Sequence, residues 1–130
     1  MSKSRIEEEL ALLRLHFSAV EYKESGGLHW FRVEKLMTPD QWSPDAISAA
    51  FSVTQGFPGA EPYGFYVPAN LTFNGQPPSD RNAPHPPPFD GNWRFLSWSP
   101  VDWRATADTN SGSNLWAWVR SFLHRLREGK

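Results

Sequence analysis

The sequence predicts an α+β domain: an N-terminal helix, a four-stranded antiparallel meander, a long proline-rich loop and a C-terminal helix. Three observations carry this. Ile6, Leu10, Leu13 and Phe17 fall at i, i+4, i+7 and i+11, one apolar stripe of a helix. Ile47, Ala49, Phe51 and Val53 alternate with smaller or polar residues, the period of a half-buried strand. Leu115, Val119, Phe122 and Leu126 form a second helical stripe near the end. At 130 residues, with no internal repeat, the chain is one domain over 1–130. A chain of that length buries roughly two thirds of its unfolded surface.

Taken in order, Ser4 is placed to cap the first helix, with Glu7, Glu8 and Glu9 in its opening turn, where the helix dipole favours acids. Residues 19–23 suit a short strand and Gly26-Gly27 a turn. Residues 28–36 are aromatic and β-branched enough for the returning strand of a hairpin. Thr38-Pro39 and Ser43-Pro44 interrupt the chain before the strand that carries Phe51. Phe57-Pro58 and Pro62 hold an extended bend, because proline locks φ and restricts the residue before it. Residues 63–67, extended by 70–73, supply the fourth strand.

Residues 74–93 hold six of the 12 prolines, which no regular element survives; residues 76–92 are read as a proline-rich loop within the single domain. A loop of this length inside a compact domain is functional or disordered. Ser111 or Ser113 then opens the last helix, and Arg120, His124, Arg125 and Arg127 crowd its C-terminal end, as the dipole prefers.

Composition excludes several classes of function. Hydrophobic content of 39% and aromatic content of 15%, with seven tryptophans, are enough for a packed core. Thirteen basic and 14 acidic residues leave a formal charge of −1, so no global field favours nucleic acid or an anionic membrane. No apolar run approaches the ~20 residues of a membrane span, and cytoplasm is the expected compartment. Zero cysteines exclude disulfides, thiolate metal sites and thiol catalysis together. There is no Gly-x-Ser-x-Gly elbow, no glycine-rich nucleotide loop and no paired-histidine zinc spacing, so neither cofactor nor metal is expected.

Candidate chemistry gathers after the loop. Ser99, between Trp98 and Pro100, lies on a segment that reads as too irregular for a strand interior. A serine hydroxyl accepts an acyl group when a base or an oxyanion donor assists it. The same residues also fit a simple turn, with Trp98 and Trp103 as core. Ser97 is the rival nucleophile: in an extended chain Ser97 and Ser99 point the same way, exposed, while Leu96 and Trp98 face the core. Asp102 and Asp108 follow. His85 is the histidine expected in an active loop, against His16 in the first helix, His29 in a strand and His124 on a basic helix end. Asn82 and Asn92 are amides able to donate to an oxyanion.

The element order, the bend from Phe57-Pro58 to Pro62, Trp98-Ser99-Pro100 and the terminal helix together resemble the ubiquitin-conjugating fold over residues 5–127. More narrowly, Trp98-Ser99-Pro100-Val101-Asp102-Trp103-Arg104-Ala105-Thr106-Ala107-Asp108 is similar to the late motif of the prokaryotic ubiquitin-conjugating-like family E. The resemblance implies a carrier that accepts an activated ubiquitin-like protein from a ThiF-like activating enzyme. The setting it implies is a bacterial ubiquitination-like pathway in phage defence, with an oxyester intermediate in place of a thioester. A protein target receives the chain through an amine, which Asp102 or Asp108 would orient or deprotonate. The first helix and adjoining strands would dock the activating enzyme.

Two departures stand out. His85-Pro86 is followed by Pro87 in place of the oxyanion-stabilising asparagine, and the histidine the family carries after Trp-Ser is replaced by Pro100 and Val101. Base assistance to Ser99 therefore falls to Asp102 or His85. The alternatives are a catalytically inactive module of this fold that binds a ubiquitin-like protein or peptide noncovalently, and a small serine hydrolase using Ser99, His85 and an aspartate.

Overall fold

The computed structural model describes residues 2–78, 87–100, 102–106 and 108–128, with side chains from residue 5 onward. Helix α1 (Ser2–His16) buries Ile6 and Leu13, with Leu10 and Phe17 packed against the same core. It begins two residues before the expected cap, so Ser4 lies inside it and its first turn carries no acid. Glu9, expected in the opening turn, lies mid-helix and is fully buried.

The sheet is larger than the four-stranded meander the sequence suggests. Strands β1 (Val20–Ser25), β2 (Leu28–Met37), β4 (Ala46–Val53), β5 (Phe65–Pro68) and β7 (Trp93–Leu96) form a five-stranded antiparallel sheet in that spatial order. The two-residue strands β3 (Trp42–Ser43) and β6 (Thr72–Phe73) pair separately. The strand of the main sheet that the sequence reading lacks is β7, and the short β3 falls where that reading places only a break. Strand β7 has four residues, too few for a periodic signal, and follows a proline-dense stretch. What makes it a strand is its pairing with β5, from Phe65 opposite Leu96 to Pro68 opposite Trp93.

Alternation along the strands sends side chains to two faces. On one, Phe31, Ala49, Phe51, Phe65 and Leu96 meet α1 and helix α2 (Leu115–Arg127). Phe122 of α2 stacks on Phe65 at 3.9 Å and sets its edge against Phe51. On the other face Trp30, Ala50, Tyr66 and Phe95 are buried under Phe89. Lys23 and Arg32 sit over the Phe89 ring, each 5.5 Å from its centroid. Between the strands the described residues of the proline-rich stretch, 74–78 and 87–92, form no helix or strand of their own. Among the described residues no helix is long and apolar enough to cross a membrane.

Candidate active site

Chain leaving β7 crosses the outside of α2, and hydrogen bonds hold this strap at both ends. At the first end Trp98 Nε1 donates to Ser121 Oγ at 3.0 Å, and the Gly64 amide donates to the Trp98 carbonyl at 2.7 Å. At the other end the Arg104 amide donates to Ser113 Oγ at 2.8 Å, while the Ser113 amide returns a bond to the Arg104 carbonyl at 3.0 Å. In between, Trp103 Nε1 donates to the Pro58 carbonyl at 2.8 Å, and the Trp103 ring lies against Phe57. The proline bend of residues 57–62 thereby supports the strap from below.

The strap does not lie flush on the helix. Between them is a cavity of about 380 Å³, lined by Trp98, Ser99, Pro100 and Trp103 from the strap and by Ser113, Ala117, Trp118, Ser121 and His124 from α2 and its start. Ala117, Ser121 and His124 share the helix face turned away from Leu115, Phe122 and Leu126, Ser113 lies just before the helix, and Trp118 reaches the cavity from the buried side. Three indoles and a proline make the wall mainly apolar. The polar groups in it are hydroxyls and one imidazole.

The sequence-derived candidates divide across this geometry. Ser99 is exposed and lines the cavity. Ser97 is half-buried, and its Oγ is enclosed without a hydrogen-bond partner among the described residues. The expectation that both serines are exposed therefore holds for Ser99 alone. Arg125 Nε of α2 donates to the Ser97 carbonyl at 3.3 Å, which ties the backbone here to the helix. Leu96 and Trp98 do face the core.

Asp102 is exposed, with a left-handed φ of 53°, and does not line the cavity. Asp108 serves a turn: its Oδ1 accepts from the Asn110 amide at 3.0 Å and its carbonyl from the Ser111 amide at 2.9 Å. It lines a different concavity, beside Glu8 and Leu12 of α1. His85 and Asn82 lie outside the described residues, as do Val101 and Ala107 of the motif. Asn92 is remote, in a concavity on the far side of the sheet with Arg32 and Asp90.

The residue that sequence reasoning missed is His124. Read only as part of a basic helix end, it is in fact exposed and shares the cavity with Ser99. The signal was present in Ser113, Ala117, Ser121 and His124, a small-and-polar stripe along α2. The other described histidines are occupied: His16 stacks on Trp116 at 3.8 Å, and buried His29 bonds Tyr22 Oη at 2.7 Å and Gln55 Oε1 at 3.2 Å. One further polar atom of the cavity residues is unsatisfied. Trp118 is 1% exposed, and its Nε1, a donor only, has no acceptor among the described residues.

No group of three or more His, Asp or Glu side chains among the described residues is arranged to hold a metal ion. No known family profile matches the chain, and no curated protein or solved structure matches it significantly. Its architecture, with helices at both ends of the chain around an open antiparallel sheet, is ubiquitin-conjugating-like in broad outline.

Proposed function

We propose that this chain is a ubiquitin-conjugating-like carrier. It accepts an activated ubiquitin-like protein from a ThiF-like activating enzyme on Ser99, as an oxyester, and transfers it to an amine on a protein target. The observation that carries the reading is the placement of Ser99: an exposed hydroxyl at a tryptophan-walled cavity, just beyond the last strand of a conjugating-type sheet, in a chain without cysteine. An oxygen ester is a weaker acyl donor to amines than a thioester. Positioning and donors to the developing oxyanion then supply what the leaving group lacks. The family resemblance of the Trp98–Asp108 stretch adds a bacterial ubiquitination-like pathway, in phage defence, as the setting.

Ser99 is preferred to Ser97 because the Ser97 hydroxyl is enclosed and a protein-sized acyl donor needs an open approach. The test is to incubate the chain with its activating enzyme, the ubiquitin-like protein and ATP, then to record intact mass before and after hydroxide. A hydroxide-labile adduct is expected in the wild type and in Ser97→Ala, and none in Ser99→Ala. Adduct retained in Ser99→Ala overturns the assignment.

The apolar wall of Trp98, Pro100, Trp103 and Trp118 favours one second reading, a noncovalent module for a ubiquitin-like protein or peptide. It predicts normal adenylation of the partner, measurable binding and no adduct in any variant.

A further inference from the structure

We infer that His124 is the general base for Ser99, with the proton exchanged across the cavity between the strap and α2. This assignment rests on the reading of Ser99 as the acyl-accepting serine, and names the proton acceptor that the strap sequence lacks at Pro100 and Val101. Three observations carry it. His124 and Ser99 line one cavity of about 380 Å³, one from the helix and the other from the strap. Among the described residues His124 is its only titratable lining residue, since Asp102 does not line it and Asp108 is held in a turn on another concavity. The strap is anchored at Ser121 of α2 and at Ser113 just before it, which line the cavity and fix Ser99 relative to the helix that carries His124.

The other hydroxyls lining the cavity are committed, Ser113 Oγ by accepting from the Arg104 amide at 2.8 Å. Ser121 Oγ donates to the Trp118 carbonyl at 2.6 Å and accepts from Trp98 Nε1 at 3.0 Å. It acts as a strut rather than as a relay.

In the first step the Ser99 Oγ attacks the carbonyl carbon of the acyl phosphate anhydride formed by the activating enzyme. The Oγ–C bond forms, and the Oγ proton passes to a nitrogen of His124. The carbonyl–oxygen bond to the phosphate breaks, and the nucleotide leaves with the bonding pair. His124 is exposed and returns its proton to solvent. In the second step a neutral amine attacks the ester carbonyl. His124 takes a proton from the attacking nitrogen and gives it to the departing Ser99 Oγ. An amide and the free serine result.

The test uses p-nitrophenyl acetate on the folded chain, so that it does not depend on any protein partner. Acetylation of Ser99 is followed by peptide mass spectrometry, with p-nitrophenolate release as the rate. Wild type is expected to acetylate at Ser99, and His124→Gln to do so roughly 100-fold more slowly, the usual scale of general-base assistance. Added imidazole should restore the rate in His124→Ala, a rescue that a purely structural role would not produce. Equal rates in wild type and His124→Gln, an acetyl group found on His124 itself, or no acetylation of Ser99 in wild type would each overturn the inference. The two ideas remain separable. A ubiquitin-like adduct on Ser99 whose rate ignores His124→Gln sinks the base and keeps the carrier. Imidazole-rescued acetylation of Ser99 with no such adduct sinks the carrier and keeps the base.

Discussion

Gly64 shows how a single residue without a side chain positions the site. Its φ is +73°, and a Cβ built there would overlap the Phe95 ring. Its amide also holds the Trp98 carbonyl at 2.7 Å, one residue before Ser99. Gly64→Ala is expected to lower unfolding free energy by about 2–4 kcal/mol, from overpacking and the disfavoured backbone region together. Urea denaturation measures this, and a loss below ~0.5 kcal/mol would mean that the turn relaxes freely. Gly112 is similarly constrained at the other end of the strap, where a Cβ would meet the Arg104 carbonyl and Thr106. The role of Gly64 is not visible in sequence, because the Phe95 ring that crowds it belongs to a strand far along the chain.

At the scale of elements, α2 carries the core stripe on one face and the cavity on the other. Its start is secured by Asn114, whose Oδ1 accepts from the Ala117 amide at 2.8 Å and whose Nδ2 donates to the Thr109 carbonyl at 2.9 Å. The sequence suggested Ser111 or Ser113 for this position. Ser113 instead gives its hydroxyl to the strap, accepting from the Arg104 amide. Asn114→Ala should cost about 1–2 kcal/mol, as loss of a helix cap does, and appear as a lowered urea midpoint with unchanged slope. Ser113→Ala should leave the helix intact and loosen the strap. The two helices and most of the strands were legible because their apolar periods are local. Strand β7 was not, because its partner lies some thirty residues earlier in the chain.

Across the whole molecule, a buried charge network ties the beginning of the chain to its last third. Glu9 accepts from Arg5 Nε at 2.7 Å and from the Leu115 amide, at the start of α2, at 2.8 Å. Arg5 also donates to the carbonyls of Thr106 and Ser113. Burial pushes the Glu9 carboxyl above its ordinary range, against the opposing pull of the Leu115 amide and Arg5. The folded chain thus holds this proton more tightly than the unfolded chain does. Glu9's contribution to stability is fully present below the ordinary glutamate pKa and is lost as pH rises through the raised value. Urea midpoints of wild type relative to Glu9→Gln should therefore fall from mildly acidic to neutral pH. A pH-independent difference would show that Glu9 ionises normally in the folded chain.

The sequence by itself determined the helices at the two ends, the hairpin, the central alternating strand and the absence of thiol chemistry. Each follows from local periodicity, turn residues or composition. Only the tertiary structure decided that Ser97 is enclosed while Ser99 opens onto a cavity, that Asp108 braces a turn, and that His124 lies across from Ser99. Those outcomes depend on which surface of α2 the strap crosses. The packing of Phe122 on the sheet and the hydrogen bonds at Ser113 and Ser121 set that crossing, through contacts between residues far apart in the chain.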